Sequence, residues 1–274
     1  MSVQEKLKEL GALGWDVLSL NFADIILASE FEAQTIHLLD SLMQAKFSVA
    51  ESIIKSGGGL ATQTQALASE FNKIGKKNII SVSRQIEFER DHAPISTEDS
   101  SHEIDHLAVN EIGQFLAIEI EWNNKDEFYD RDFQSLKRLY EMGVIEAGVI
   151  VTRGQSLEDR LFDMILKYFE NFPIEQIEDF ENMRQTFPNP KNADDFLFSF
   201  PTEKQKLAIR RKVEGSGKSV AESAAEVFKS SKFVGTTTNW RQLQKRVDRR
   251  DGGRTPILCL GIPNSVFDSQ EASA

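Results

Sequence analysis

Several things are scarce in this chain, and each scarcity closes off a class of protein. There is one cysteine, Cys259, among 274 residues, so neither a disulfide framework nor a thiolate metal site can be built. No apolar run approaches the roughly 20 residues that a membrane-spanning helix needs, and the N-terminus lacks the apolar stretch of a signal peptide. A reduced, cytoplasmic protein with no membrane partner is the expectation. A complete phosphate loop is also missing. Gly215-Ser216-Gly217-Lys218-Ser219 has its second half, but Lys212 stands where the first glycine must be. The residues before it are charged and helical, where a phosphate cradle follows a buried strand. No nucleotide cofactor is expected.

Positive charge is in deficit overall. The chain has 32 basic against 43 acidic side chains, a net charge of −11. Taken alone this opposes a nucleic-acid partner, because DNA affinity comes largely from neutralised phosphates. The distribution tempers that. Lys204, Lys206, Arg210, Arg211, Lys212 and Lys218 cluster against one acid, Glu214, and Arg241, Lys245, Arg246, Arg249, Arg250 and Arg254 cluster against Asp248 and Asp251. Two solvated helix faces would have the same composition. The remaining totals, 40% hydrophobic and 27% charged, are those of an ordinary globular protein. The length suits one large domain, or a domain carrying an insertion.

What is present centres on Phe115-Leu116-Ala117-Ile118-Glu119-Ile120-Glu121. Alternation places Leu116, Ile118 and Ile120 on one face of a strand and Ala117, Glu119 and Glu121 on the other. Two carboxylates therefore project side by side from an otherwise apolar strand. Burying ionised carboxylates is costly unless a partner or a metal compensates them. An exposed edge strand with solvated acids would show the same pattern. Ile104-Asp105-His106-Leu107 reads as the end of a shorter strand and supplies a third acid. Asp105, Glu119 and Glu121 together form an oxygen-rich set suited to Mg²⁺.

Along the rest of the chain, residues 15–28 have apolar residues at helical spacing. Ile36, Leu39, Met43, Phe47, Ala50 and Ile54 predict a second helix, stopped at Gly57-Gly58-Gly59. A phosphate contact at those glycines is one further possibility. A third helix spans about 62–74. Residues 79–90 predict a strand, and Asp91–His102 a polar loop. Asp126 is a candidate N-cap for a helix over 127–142 that ends at Gly143, and Ala147–Thr152 is a buried strand. Strand, helix and strand at this spacing make a βαβ-like unit, and hence a mixed α/β sheet flanked by helices. Four of the seven prolines fall in 171–202, which reads as an irregular insertion. Helices over about 203–213 and 218–229 follow, and Thr255–Pro263 closes the fold as a last strand.

The spacing of Asp105 to Glu119-x-Glu121, followed by a polar loop and an amphipathic helix, resembles the PD-(D/E)xK nucleases, with Glu121 in place of the usual lysine. The run Glu119–Asp126 with Asp130-Arg131-Asp132, the strand end Thr152-Arg153-Gly154, and Gly252–Ile262 resemble the BglII/BstYI family of type II restriction endonucleases. The likeness covers about 52–160 and the last strand, and the rest more loosely. It implies a restriction-endonuclease-like fold in one domain over 1–274, with a helical arm at about 165–250. It also implies a homodimer that cuts double-stranded DNA at a short palindrome, using Mg²⁺. Asp105 and Glu119 would be metal ligands, and Glu121 would handle the attacking water. Glu70 is a minor candidate for an outer contact.

In that design the helix after the catalytic strand points into the major groove. Asn123 and Asn124 are then typed for adenine, and Lys125 and Arg131 for guanine or phosphate. Arg241, Arg249 and Arg254 form a second candidate set for bases or phosphates. Loop capping and surface ion pairs are the ordinary roles for all of these residues. A structure-selective nuclease and a non-cutting DNA-binding protein of the same fold are the alternatives. Mutating Glu119 separates the non-cutting binder, and the pattern of fragments separates the structure-selective enzyme.

Overall fold

Three strands are buried from end to end or nearly so. In the computed structural model, which describes residues 1–54, 62–86, 95–180 and 200–267, β4 (Phe115–Glu121), β5 (Ala147–Arg153) and β6 (Ile257–Ile262) run parallel. Every residue of the three except Phe115 is buried. Parallel strands are covered on both faces, which is why Ala147–Arg153 and Ile257–Ile262 read as nearly continuous apolar runs. β1 (Asp16–Leu20) adds antiparallel to β6, β3 (Ile95–Val109) antiparallel to β4, and β2 (Gly75–Ile86) antiparallel to β3. The sheet order is β1-β6-β5-β4-β3-β2. It is mixed and helix-flanked, as the sequence and its resemblance imply.

The alternation in β4 separates two cores. Leu116, Ile118 and Ile120 join Val149, Val151, Leu258 and Leu260 against α1 (Val3–Ala12), α3 (Glu32–Gln44), α4 (Thr62–Phe71), α6 (Gln155–Glu170) and α8 (Val220–Lys232). Ala117, Ile150, Ile257 and Cys259 face the other way, against α5 (Glu127–Glu141) and α9 (Trp240–Asp248). α5 presents Tyr129, Phe133, Leu136 and Leu139 at i, i+3/i+4 spacing, all fully buried. Each of those apolar side chains contributes roughly 2 kcal/mol of transfer free energy. The helix ends where Gly143 takes φ +69°, a conformation that glycine adopts without steric cost. Because the acids share Ala117's face, they open towards α5. α2 (Ala23–Glu30) packs near β1, and α7 (Glu203–Ser216) pairs with α8.

Several expectations are corrected. Residues 15–28 are not one helix: Asp16–Leu20 forms β1, because Val17 and Leu18 find an open edge on β6 (Val17↔Leu260, Leu18↔Cys259), and only Ala23–Glu30 is helical. The helix expected through Ile54 stops at Gln44. Phe47 leaves it to bridge Phe267, and a separate π-helical turn covers Ala50–Ile54. The loop expected over 91–102 is strand from Ile95 onward, paired along β2. Asp105 therefore lies within a long strand rather than at the end of a short one. Three helices were not anticipated, α1, α6 and α9. Gly215–Ser219 is a turn between helices, with Gly217 at φ +67° and Ser219 capping α8. Gly57–Gly59, Pro188 and Pro190 lie outside the described residues.

Candidate active site

β3 and β4 hold a regular ladder from Val109↔Phe115 to His106↔Ile118. Beyond that point carboxylates replace carbonyls as acceptors. The Asp105 carboxylate accepts from Ile120 N–H at 3.1 Å, and the Glu119 carboxylate accepts from Asp105 N–H at 3.3 Å. This reciprocal arrangement locks the two side chains together across neighbouring strands. Glu119 is 2% exposed, and its other oxygen, Oε1, is buried without a hydrogen-bond partner. Glu121 is equally buried, and its Oε2 accepts from Asn124 Nδ2 at 2.8 Å.

A fourth carboxylate, missed in the sequence, faces the glutamates from α5. Asp132 is 2% exposed and its Oδ2 also lacks a partner. The Asp132 and Glu121 carboxyls adjoin without a well-formed hydrogen bond between them. The signal was present: Asp132 falls beside Phe133 on the stripe of Tyr129, Leu136 and Leu139, where an acid would otherwise be unfavourable. Arg131 answers part of the charge. Its Nη2 lies 2.9 Å from Asp132 Oδ1 and 3.7 Å from Glu121 Oε1, with the guanidinium over the Phe128 ring.

Burial pushes the Glu119 carboxyl well above its ordinary range, with the Asp132 and Asp105 charges adding to the shift. Glu121 rises to about 9, mainly by burial and then by Asp132. Asp132 also rises, through burial. A pocket of crowded, desolvated carboxyls is a place where a cation would be strongly favoured. The two partnerless oxygens, on Glu119 and Asp132, fit that reading. Among the described residues no group of three or more His, Cys, Asp or Glu side chains is placed to hold a metal ion by itself. Water and a phosphate oxygen would have to complete the shell, which is how Mg²⁺ is ordinarily held.

A family model described as restriction endonuclease BglII/BglIII matches residues 15–262. The chain belongs to that family. It is therefore a site-specific deoxyribonuclease. No curated protein and no solved structure matches the chain at a significant level.

The remaining candidate residues of this BglII/BglIII-family endonuclease lie on the loop after β4, on α9 and just beyond it, and on α4. Asn124 N–H donates to Thr238 Oγ1 and its carbonyl accepts from Thr238 N–H, while Asn123 Nδ2 donates to the Lys232 carbonyl. Lys125 is exposed and bridges Thr237. Asp126 makes no side-chain cap for α5, contrary to expectation. Its carboxylate instead accepts from Arg246 Nη1 at 3.2 Å. Arg246, buried, also grips Asp130, so this cluster member is structural. Arg241 and Arg254 are exposed. Arg249 is exposed but engaged by Asp130 and Asp251 at 2.7 and 2.5 Å. Glu70 pairs with Lys73 at 2.6 Å on a helix that packs against the opposite face of the sheet.

Proposed function

We propose that the protein is a homodimeric, Mg²⁺-dependent endonuclease that hydrolyses both strands of double-stranded DNA at a short palindrome. The observation that carries this reading is the locked pair Asp105–Glu119, with the partnerless Glu119 Oε1 buried beside it. Asp105 and Glu119 would hold the cation. Bound there, Mg²⁺ would lower the pKa of a water and stabilise charge developing on the phosphate. Glu121 orients the attacking water and takes its proton. Its carboxyl is protonated near neutrality in the isolated pocket, and a dication beside it would favour the base form, because opposite charge favours ionisation. Burial of the pocket excludes bulk water and strengthens each electrostatic contact.

Recognition falls to the segment after β4. Lys125 is exposed and suited to guanine or phosphate, whereas Arg131 is partly exposed and must leave Asp132 to reach either. Asn123 must release the Lys232 carbonyl before its amide reaches an adenine edge, while Asn124 stays on Glu121. Arg241, Arg249 and Arg254 supply phosphate or base contacts from the second cluster. A palindrome read by a two-fold axis calls for two copies of the chain. We read residues 1–274 as one domain, supported by the core that the α6–α8 region shares with the sheet.

The test is incubation of purified protein with phage or plasmid DNA, with and without Mg²⁺, followed by sequencing of fragment ends. Discrete Mg²⁺-dependent fragments with uniform ends are expected. A smear would replace sequence specificity with structure selectivity, and retained binding without cleavage would make the protein a non-cutting binder.

A further inference from the structure

Among the described residues, Arg153 is the largest fully buried side chain. A guanidinium this deep needs its charge answered, and the partners form a connected path. Its Nη1 lies 2.9 Å from Glu158 Oε1 of α6, an ion pair without hydrogen-bond geometry, and the guanidinium lies 5.0 Å from the Phe233 ring centroid. Nε and Nη2 donate to the Thr238 carbonyl at 3.1 and 2.8 Å, and Nη2 also donates to Thr237 Oγ1 at 2.8 Å.

The segment so gripped has a second side. Thr238 Oγ1 accepts from Asn124 N–H, and Thr238 N–H donates to the Asn124 carbonyl. Asp126 N–H donates to the Thr236 carbonyl. Asn124 in turn donates to Glu121 Oε2 at 2.8 Å. A continuous series of hydrogen bonds therefore runs from Arg153 through Thr238 and Asn124 to the Glu121 carboxyl. Residues 236–238 are clamped between Arg153 behind and the post-β4 loop in front.

We propose that Arg153 is a positioning residue that sets Glu121 and the 123–126 loop through Thr238, without touching DNA or metal. The proposal rests on the nuclease reading for its kinetic consequence and on geometry alone for its structural one. The planar fork matters. Two donors reach one carbonyl while a third edge meets Glu158, an arrangement that a lysine's single ammonium cannot reproduce. It also accounts for why the region after residue 200 returns to the catalytic edge: it supplies the strut that the recognition loop leans on.

The experiment compares the full-length wild type with Arg153→Met, Arg153→Lys and Thr238→Val. Thr238→Val removes only the hydroxyl that receives Asn124 N–H and keeps the shape, so it remains informative if Arg153→Met does not fold. Amide hydrogen exchange is measured on segments 123–126, 236–238 and 155–170. Steady-state kcat and KM follow on plasmid DNA, scaled to folded protein. Exchange should rise at least about tenfold in both 123–126 and 236–238 and stay unchanged in 155–170 of Thr238→Val. kcat should fall at least about tenfold with KM within about threefold, and Arg153→Lys should recover only part of the loss. Exchange that rises in 236–238 alone would overturn the proposal, as would kcat per folded molecule within twofold of wild type in Thr238→Val. A wild type that does not cut would refute the nuclease reading, while the exchange result would still decide the positioning role.

Discussion

Replacing Glu121 with glutamine should stabilise the metal-free protein while removing its activity, and the size of the effect follows from the carboxyl's surroundings. Burial and the neighbouring Asp132 lift the Glu121 pKa from 4.5 to about 9. In that window the folded state holds a proton that the unfolded chain has released. Stability then falls as pH rises, by up to about 1.4 kcal/mol per pH unit. The favourable contribution is fully present below about pH 4.5 and is lost progressively up to about pH 9. Between 4.5 and 7 the loss is on the order of 3 kcal/mol. Glutamine is neutral throughout, keeps the shape, and can still accept from Asn124 Nδ2. Urea unfolding in EDTA at several pH values from 5 to 9 measures the difference. The wild-type curve should slope downward more steeply than that of Glu121→Gln, with the variant ahead by a few kcal/mol at pH 7 to 8. Mg²⁺ should narrow the gap by stabilising the wild-type carboxylates. Parallel curves, or a variant less stable at pH 8, would refute the reasoning.

Asp105→Ala and Glu119→Ala should each lower cleavage by roughly two to three orders of magnitude or more, with melting temperatures at or above wild type. Either variant cutting at near wild-type rate in a plasmid assay would place the chemistry elsewhere. Removing divalent metal should abolish cleavage and weaken DNA binding, because the attraction between a bound cation and the phosphate is then lost; titration by fluorescence anisotropy in EDTA and in Ca²⁺ checks this. Lys125→Ala should reduce the slope of log affinity against log salt by about 1 if it meets a phosphate. Sedimentation of the DNA complex should show two chains per duplex, and double-strand cutting by a monomeric complex would contradict the two-fold reading.

The sequence by itself determined the sheet's centre and the acids on it. Strand β4 announces itself through strict alternation, and β5 and β6 through unbroken apolar runs, because burial on both faces leaves few other compositions. The grouping of Asp105 with Glu119-x-Glu121 was readable from its likeness to a nuclease layout, and the fold locks Asp105 to Glu119. Local chemistry misled where an edge was involved. Asp16–Leu20 has apolar residues that serve a helix as well as a strand, and only the open side of β6 decides between them. Tertiary structure alone decided that Asp132 looks into the pocket and that Arg131 shares its charge. It also decided that Asp126 serves Arg246 rather than capping its own helix. Arg153 shows the difference most plainly. In the sequence it is a basic residue before a glycine. In the fold it is a fully buried cation whose partners come from residues 158 and 237–238, and contacts of that sequence separation leave no periodic trace along the chain.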